Sequence, residues 1–174
     1  MKKSEKYIQT RNKIFGIDPG YGRIGMAVIE PNGNNPVLIH SECFETDSKL
    51  PHPKRILLIG ERVREIIEKY CPRQLAIESL LWSKNKKTAL RVAEARGVIL
   101  SEAARSNILV REFNPNQIKL AVTGYGKSDK KQVMGMVSKL IKLGGGKKRH
   151  DDEYDAIAIA LTCGAISLST EMLD

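Results

Sequence analysis

Four acids in this chain stand at the ends of apolar segments. Asp18 closes the run Ile14-Phe15-Gly16-Ile17, and Glu78 closes Leu75-Ala76-Ile77. Asp152 and Asp155 open a third segment that continues as the apolar stretch Ala156 to Leu161. Side chains alternate along a strand, so Gly16 and Asp18 share one face while Phe15 and Ile17 take the other. Ala76 and Glu78 repeat the arrangement against Leu75 and Ile77. Small residues leave room above the sheet. If the two strands are parallel neighbours, both acids reach one crevice at the carboxyl end of the sheet. A three-residue separation puts Asp152 and Asp155 on one face of a helix.

Taken singly, Asp152 and Asp155 suit helix capping and the macrodipole, and an acid at a strand end suits exposure. Taken together, the acids come from three separated elements and would repel one another when partly buried. A hard divalent cation with oxygen ligands resolves that conflict. Two such ions about 4 Å apart can activate water and stabilise a leaving oxygen in phosphodiester hydrolysis.

The elements that must position these acids follow from the pattern. Strands are expected at 13–18, 23–30 and 37–46, joined by the Gly20–Gly22 turn and the PNGNNP cluster, as an antiparallel meander. Ile56, Ile59, Val63, Ile66 and Ile67 recur at helical spacing and predict a helix over 54–70. A strand at 74–79, a long helix at 86–106, a strand at 107–113 and a short helix from Pro115 to Val122 come next. Helices at 129–142 and 152–168 finish the chain. A meander followed by alternating helices and strands implies an α/β fold with a mixed sheet flanked by helices.

The 174 residues suit one domain, expected over 13–168 behind a basic extension at 1–12. The formal charge of +9, with a sequence pI near 9.5, implies a polyanionic partner such as nucleic acid or an anionic membrane surface. Cys43, Cys71 and Cys163 are few and far apart, which argues against a disulfide framework and suggests that Cys163 is a buried thiol. The opening MKKSEKYIQTR has no apolar core of a secretory signal, and no run is long enough to span a bilayer. A cytoplasmic protein is expected.

The stretches GIDPGYGRIGMAVIE, LAIESLLWSKNKKTALRVAEARGVIL and DDEYDAIAIAL resemble the RuvC family of crossover junction endodeoxyribonucleases, in order and over nearly all of Lys13 to Ser167. The resemblance implies a ribonuclease-H-like fold with a five-stranded sheet, and a homodimer on four-way Holliday junctions in recombination and repair. It implies paired nicks in two strands of like polarity, with two Mg²⁺ per site and Mn²⁺ as a substitute. Carried over by position, the metal-binding acids are Asp18, Glu78, Asp152 and Asp155. The third of these is Asp or His in the family, and His150 and Asp151 lie beside it; the spacing to Asp155 favours Asp152. Lys119 and Lys130 match positions that contribute to DNA binding and cleavage. The family places a base-engaging aromatic three residues after the strand glutamate. Here that position is Leu81 and the aromatic follows as Trp82, which is open to stacking, core or dimer roles. Partnership with a RuvA–RuvB branch-migration complex is a further implication.

Two basic clusters stand apart from that resemblance. Lys84, Lys86, Lys87 and Arg91 follow the Glu78 strand, and Lys127, Lys130, Lys131, Lys147, Lys148 and Arg149 precede the last helix. Either is a solvated face alone; flanking the acids, they suggest a phosphate track. Ala89, Ala93, Gly97 and Ser101 form a small-residue stripe whose simplest use is packing on the sheet. Two other functions compete. Actin-like and sugar-kinase-like phosphotransferases also open with a G-I-D-x-G hairpin, but usually carry Thr or Ser where Tyr21 stands and need two such domains. A non-catalytic DNA-binding module explains the charge but leaves the acids without a role.

Overall fold

The computed structural model describes residues 12–33, 35–80, 86–144 and 148–171, apart from the side chains of 86–88 and 168–171. Three strands open the chain: β1 (Ile14–Asp18), β2 (Arg23–Glu30) and β3 (Val37–Glu45). Then follow α1 (His52–Tyr70), β4 (Gln74–Glu78), α2 (Lys86–Arg105) and β5 (Leu109–Phe113). Helices α3 (Pro115–Thr123), α4 (Lys130–Leu140) and α5 (Asp151–Glu171) complete it. All ten elements are those expected, with shifted ends. α1 starts two residues early because Pro53 lies in its first turn, where a missing N–H costs nothing. β5 starts two residues late because Asn107, at φ 52°, occupies the left-handed turn that leaves α2.

The sheet order is β3-β2-β1-β4-β5. β1 pairs antiparallel with β2 and parallel with β4, and β5 is parallel to β4. The expected alternation holds. Phe15, Ile17, Leu75 and Ile77 pack with Ile59, Val63, Ala95 and Ile99 of α1 and α2. Ile14, Ala27, Ala76 and Phe113 lie on the other face with α3, α4 and α5. Full burial of Ile157 and Ile159 in α5 is worth about 1.5–3 kcal/mol each. Cys163 is buried and its thiol donates to Gln74 Oε1 at 3.3 Å, as its apolar neighbours suggested.

One expectation fails. Ala93, Gly97 and Ser101 do not pack on the sheet. They are exposed, and a Cβ built on Gly97 would meet nothing within 4 Å. The helix instead buries Ala95, Ile99 and Ala103. Both sets recur every four residues, and periodicity alone does not say which of two apolar stripes turns inward.

Candidate active site

The register builds the site. Asp18 lies opposite Gly25 of β2, and Gly25 lies opposite Cys43 of β3. On the other side, Asp18 and Glu78 each follow the paired residues Ile17 and Ile77, and Glu78 lies opposite Phe113. One row therefore crosses all five strands on a single face: Cys43, Gly25, Asp18, Glu78, Phe113. Neighbouring strands are about 4.8 Å apart, so the two acids are adjacent.

The gap at Gly25 admits the start of α5. A Cβ there would collide with the backbone carbonyl of Asp152, and one on Gly16 would collide with the carbonyl of Ala156. The helix backbone thus rests directly on β1 and β2, and Asp152 and Asp155 arrive beside Asp18. The helix start is held as well. His150 N–H donates to Glu153 Oε1 at 3.2 Å, and Ser41 Oγ donates to Glu153 Oε2 at 2.8 Å. On the opposite face, the turn after Asp18 is braced by buried Arg55. Its guanidinium lies 3.8 Å over the Tyr21 ring, and its Nε donates to Thr46 Oγ1 at 2.9 Å.

All four expected acids converge, and their charges interact. Burial, then Asp155, Glu78 and Asp152, push the Asp18 carboxyl up to about 7 against a weaker pull from Lys130. Burial and Asp155 raise Glu78, with Lys119 opposing. Burial also raises Asp155, with Lys130 opposing and Asp152 and Asp151 adding to the rise. Lys130 Nζ lies 3.1 Å from Asp155 Oδ2 and 3.5 Å from Asp151 Oδ2. A cleft of about 220 Å³ is lined by Glu78, Lys119, Lys130 and Asp155, among others. A larger hollow of about 610 Å³, at Ile29, Pro36 and Leu161, is apolar and lies towards the other end of β1.

This donor set fits a hard cation. Its members are carboxylate oxygens, partly buried and short of compensating charge. Among the described residues, only Cys43, Glu45 and His150 bring three ligand atoms within 4.8 Å of one another. The four acids are set more widely than that.

The two flanking candidates separate. Asp151 turns to Lys130, whereas His150 joins Cys43 and Glu45 of β3. Two neighbours of Asp152 were missed in the sequence. Arg23 Nε lies 3.4 Å from Asp152 Oδ2, and Cys43 Sγ donates to the same oxygen at 3.6 Å. Alternation puts Arg23 on the Gly25 face, but only the register brings α5 to it. Lys127, Lys131 and Lys148 are exposed and lie within three residues of Lys130 or His150 in the chain, and Arg149 donates from Nε to Ser41 Oγ at 3.2 Å. Leu81, Trp82, Lys84 and Lys147 lie outside the described residues, as do the side chains of Lys86 and Lys87.

The sheet order, with acids closing the two central parallel strands and opening the helix laid over them, defines a ribonuclease-H-like nuclease. The comparisons are narrower. The family model described as "Crossover junction endodeoxyribonuclease RuvC" matches residues 14–163. Proteins of that same description are 47% identical over 148 residues in Thermosipho melanesiensis and 46% identical over 151 residues in Petrotoga mobilis. These matches cover 85% and 87% of this chain and 94% and 92% of the relatives. The solved Thermus thermophilus RuvC in complex with a Holliday junction substrate superposes with a TM-score of 0.84 at 30% identity, covering 91% of this chain and 96% of that one. The chain belongs to the RuvC family of crossover junction endodeoxyribonucleases.

Proposed function

We propose that this chain resolves four-way DNA junctions as a cytoplasmic homodimer, each protomer nicking one of two strands of like polarity by Mg²⁺-dependent hydrolysis. The observation that carries this reading is the convergence of Asp18, Glu78, Asp152 and Asp155 beside Lys119 and Lys130. Those four acids would hold two Mg²⁺, with Mn²⁺ as a substitute. When bound, the metals supply an activated water and charge stabilisation at the leaving oxygen.

The remaining work falls to the chain. Lys119 and Lys130 offer ammonium donors to the scissile phosphate, and an incoming phosphate exchanges with Asp155 for Lys130. Arg23 keeps Asp152 oriented through its 3.4 Å contact. Lys127, Lys131 and Lys148 extend the positive surface along which a backbone can run. The bare stripe of α2 supports the dimer: Ala93, Gly97 and Ser101 are exposed beside Leu90, which is 67% exposed. Small residues let a second helix approach closely, and a two-fold partner places a second acidic site to face the symmetry-related strand. Among the described residues no helix is long and apolar enough to cross a membrane. Docking with a RuvA–RuvB complex belongs to the same reading.

The test is nicking of a synthetic four-way junction in Mg²⁺ and in EDTA, beside linear duplex and an RNA–DNA hybrid. Junction-selective nicking that EDTA abolishes is expected. Glu78→Gln should bind the junction without cutting it, with binding that weakens steeply with salt. Retained nicking in that variant would refute the acidic assignment.

A further inference from the structure

The edge of the acidic site holds a second set of ligands of different chemistry. Cys43 and Glu45 alternate onto one face of β3. His150 reaches them from the segment just before α5, because the carbonyl of Asp152 settles into the gap at Gly25. The thiol, the Glu45 carboxylate and an imidazole nitrogen lie within 4.8 Å of one another. In a tetrahedral zinc site, bond lengths of about 2.0–2.3 Å put neighbouring ligand atoms about 3.5 Å apart. Small side-chain rotations close that difference, and Glu45 and His150 are exposed and free to make them.

We propose that Cys43, Glu45 and His150 form a binding site for a zinc-class cation, and that filling it restrains Asp152 and slows the nuclease. Sulfur and imidazole select zinc or cobalt over magnesium, whereas the neighbouring all-oxygen set accommodates magnesium, a hard cation that sulfur and imidazole hold poorly. The two sites therefore take different ions a few ångströms apart. Their link is Asp152, whose Oδ2 already accepts from Cys43 Sγ at 3.6 Å. Binding releases the thiol proton to solvent, and the thiolate and Glu45 then share the metal. Asp152 loses its Cys43 donor and faces a new cation on that side, with its other contact to Arg23 on the same oxygen. A carboxylate drawn towards β3 is withdrawn from Asp18, on which its charge acts.

Only the inhibitory half rests on the nuclease reading, so two measurements separate the parts. Co²⁺ titration of the metal-free protein, followed by absorption, reads the site alone. A thiolate-to-cobalt charge-transfer band saturating at one equivalent, and displaced by Zn²⁺, is expected. It should vanish in Cys43→Ser and persist in Cys71→Ser. In His150→Ala the affinity should fall by more than the about 10–100-fold typical of losing an outer-sphere partner. No band in the wild type, or an undiminished band in Cys43→Ser, overturns the site. Junction nicking in Mg²⁺ with added Zn²⁺, scored against each protein's own zinc-free rate, reads the coupling. Zinc should slow the wild type at concentrations that leave Cys43→Ser unaffected, and equal inhibition of both overturns it. A wild type that never nicks defeats the nuclease reading, while the cobalt band still decides the site.

Discussion

Asp18→Asn should stabilise the metal-free protein while removing its response to Mg²⁺. Burial and the three other acids raise the Asp18 carboxyl from 3.8 to about 7. A raised carboxyl pKa means that the ionised form opposes folding. The opposition is complete above pH 7 and fades as pH falls towards 3.8. At 1.36 kcal/mol per pKa unit, the rise corresponds to about 4 kcal/mol at pH 8 and about 2 kcal/mol at pH 5. The substituted side chain must still bury an amide at a cost of about 1–3 kcal/mol, which leaves a gain of about 2 kcal/mol at pH 8. At this chain length that is about 4–8 °C in Tm. Magnesium should act in the opposite sense. At 100 times its Kd it adds about 2.7 kcal/mol to the wild type and far less to the variant. Thermal melts in EDTA and in saturating Mg²⁺, at pH 8 and pH 5, give four comparisons. The variant should melt higher in EDTA at pH 8, lose most of that lead at pH 5 and lose it at pH 8 once Mg²⁺ is added. A variant that melts lower in EDTA at pH 8, or gains as much from Mg²⁺ as the wild type, refutes the reasoning.

Gly25→Ala should push the first turn of α5 off the sheet, since its Cβ would collide with the Asp152 carbonyl. A stability loss of about 1–3 kcal/mol by urea denaturation is expected, with nicking falling about 100-fold because both helix acids move; unchanged nicking would show that the close approach is dispensable. Arg62 grips Glu42 with two hydrogen bonds of 2.6 Å. Burial raises the Glu42 carboxyl, but His40, whose Nε2 lies 3.4 Å from Glu42 Oε2, and the hydrogen bonds from Arg62 outweigh it and bring it to about 2. Arg62→Ala should cost about 1.5–3 kcal/mol at pH 7. Because the depressed carboxyl stabilises the fold above its unfolded value of 4.5, that cost should shrink as pH falls from 4.5 towards 2; an equal cost at pH 7 and pH 3 would contradict the pairing.

Much of the site was legible because its signals are local. Alternation told which face Asp18 and Glu78 share, the small residues beneath them marked that face as roomy, and three-residue spacing aligned Asp152 with Asp155. Each inference needs only the geometry of one element. The periodicity of α2 was equally visible, yet its inward side was misjudged. Ala89, Ala93, Gly97 and Ser101 repeat as regularly as Ala95, Ile99 and Ala103, and local spacing carries no information about what lies across from a helix.

The chain by itself determined which segments become strands and helices, and which residues close them. Those outcomes follow from backbone sterics and side-chain direction over a few residues. Only the tertiary structure decided that β1 and β4 run side by side, that Gly16 and Gly25 let α5 lie against bare backbone, and that His150 turns to Cys43 while Asp151 turns to Lys130. These pairings join residues up to a hundred or more positions apart, as Cys43 and Asp152 are. They are selected by burying one face of every element at once, a condition that no single segment can satisfy alone.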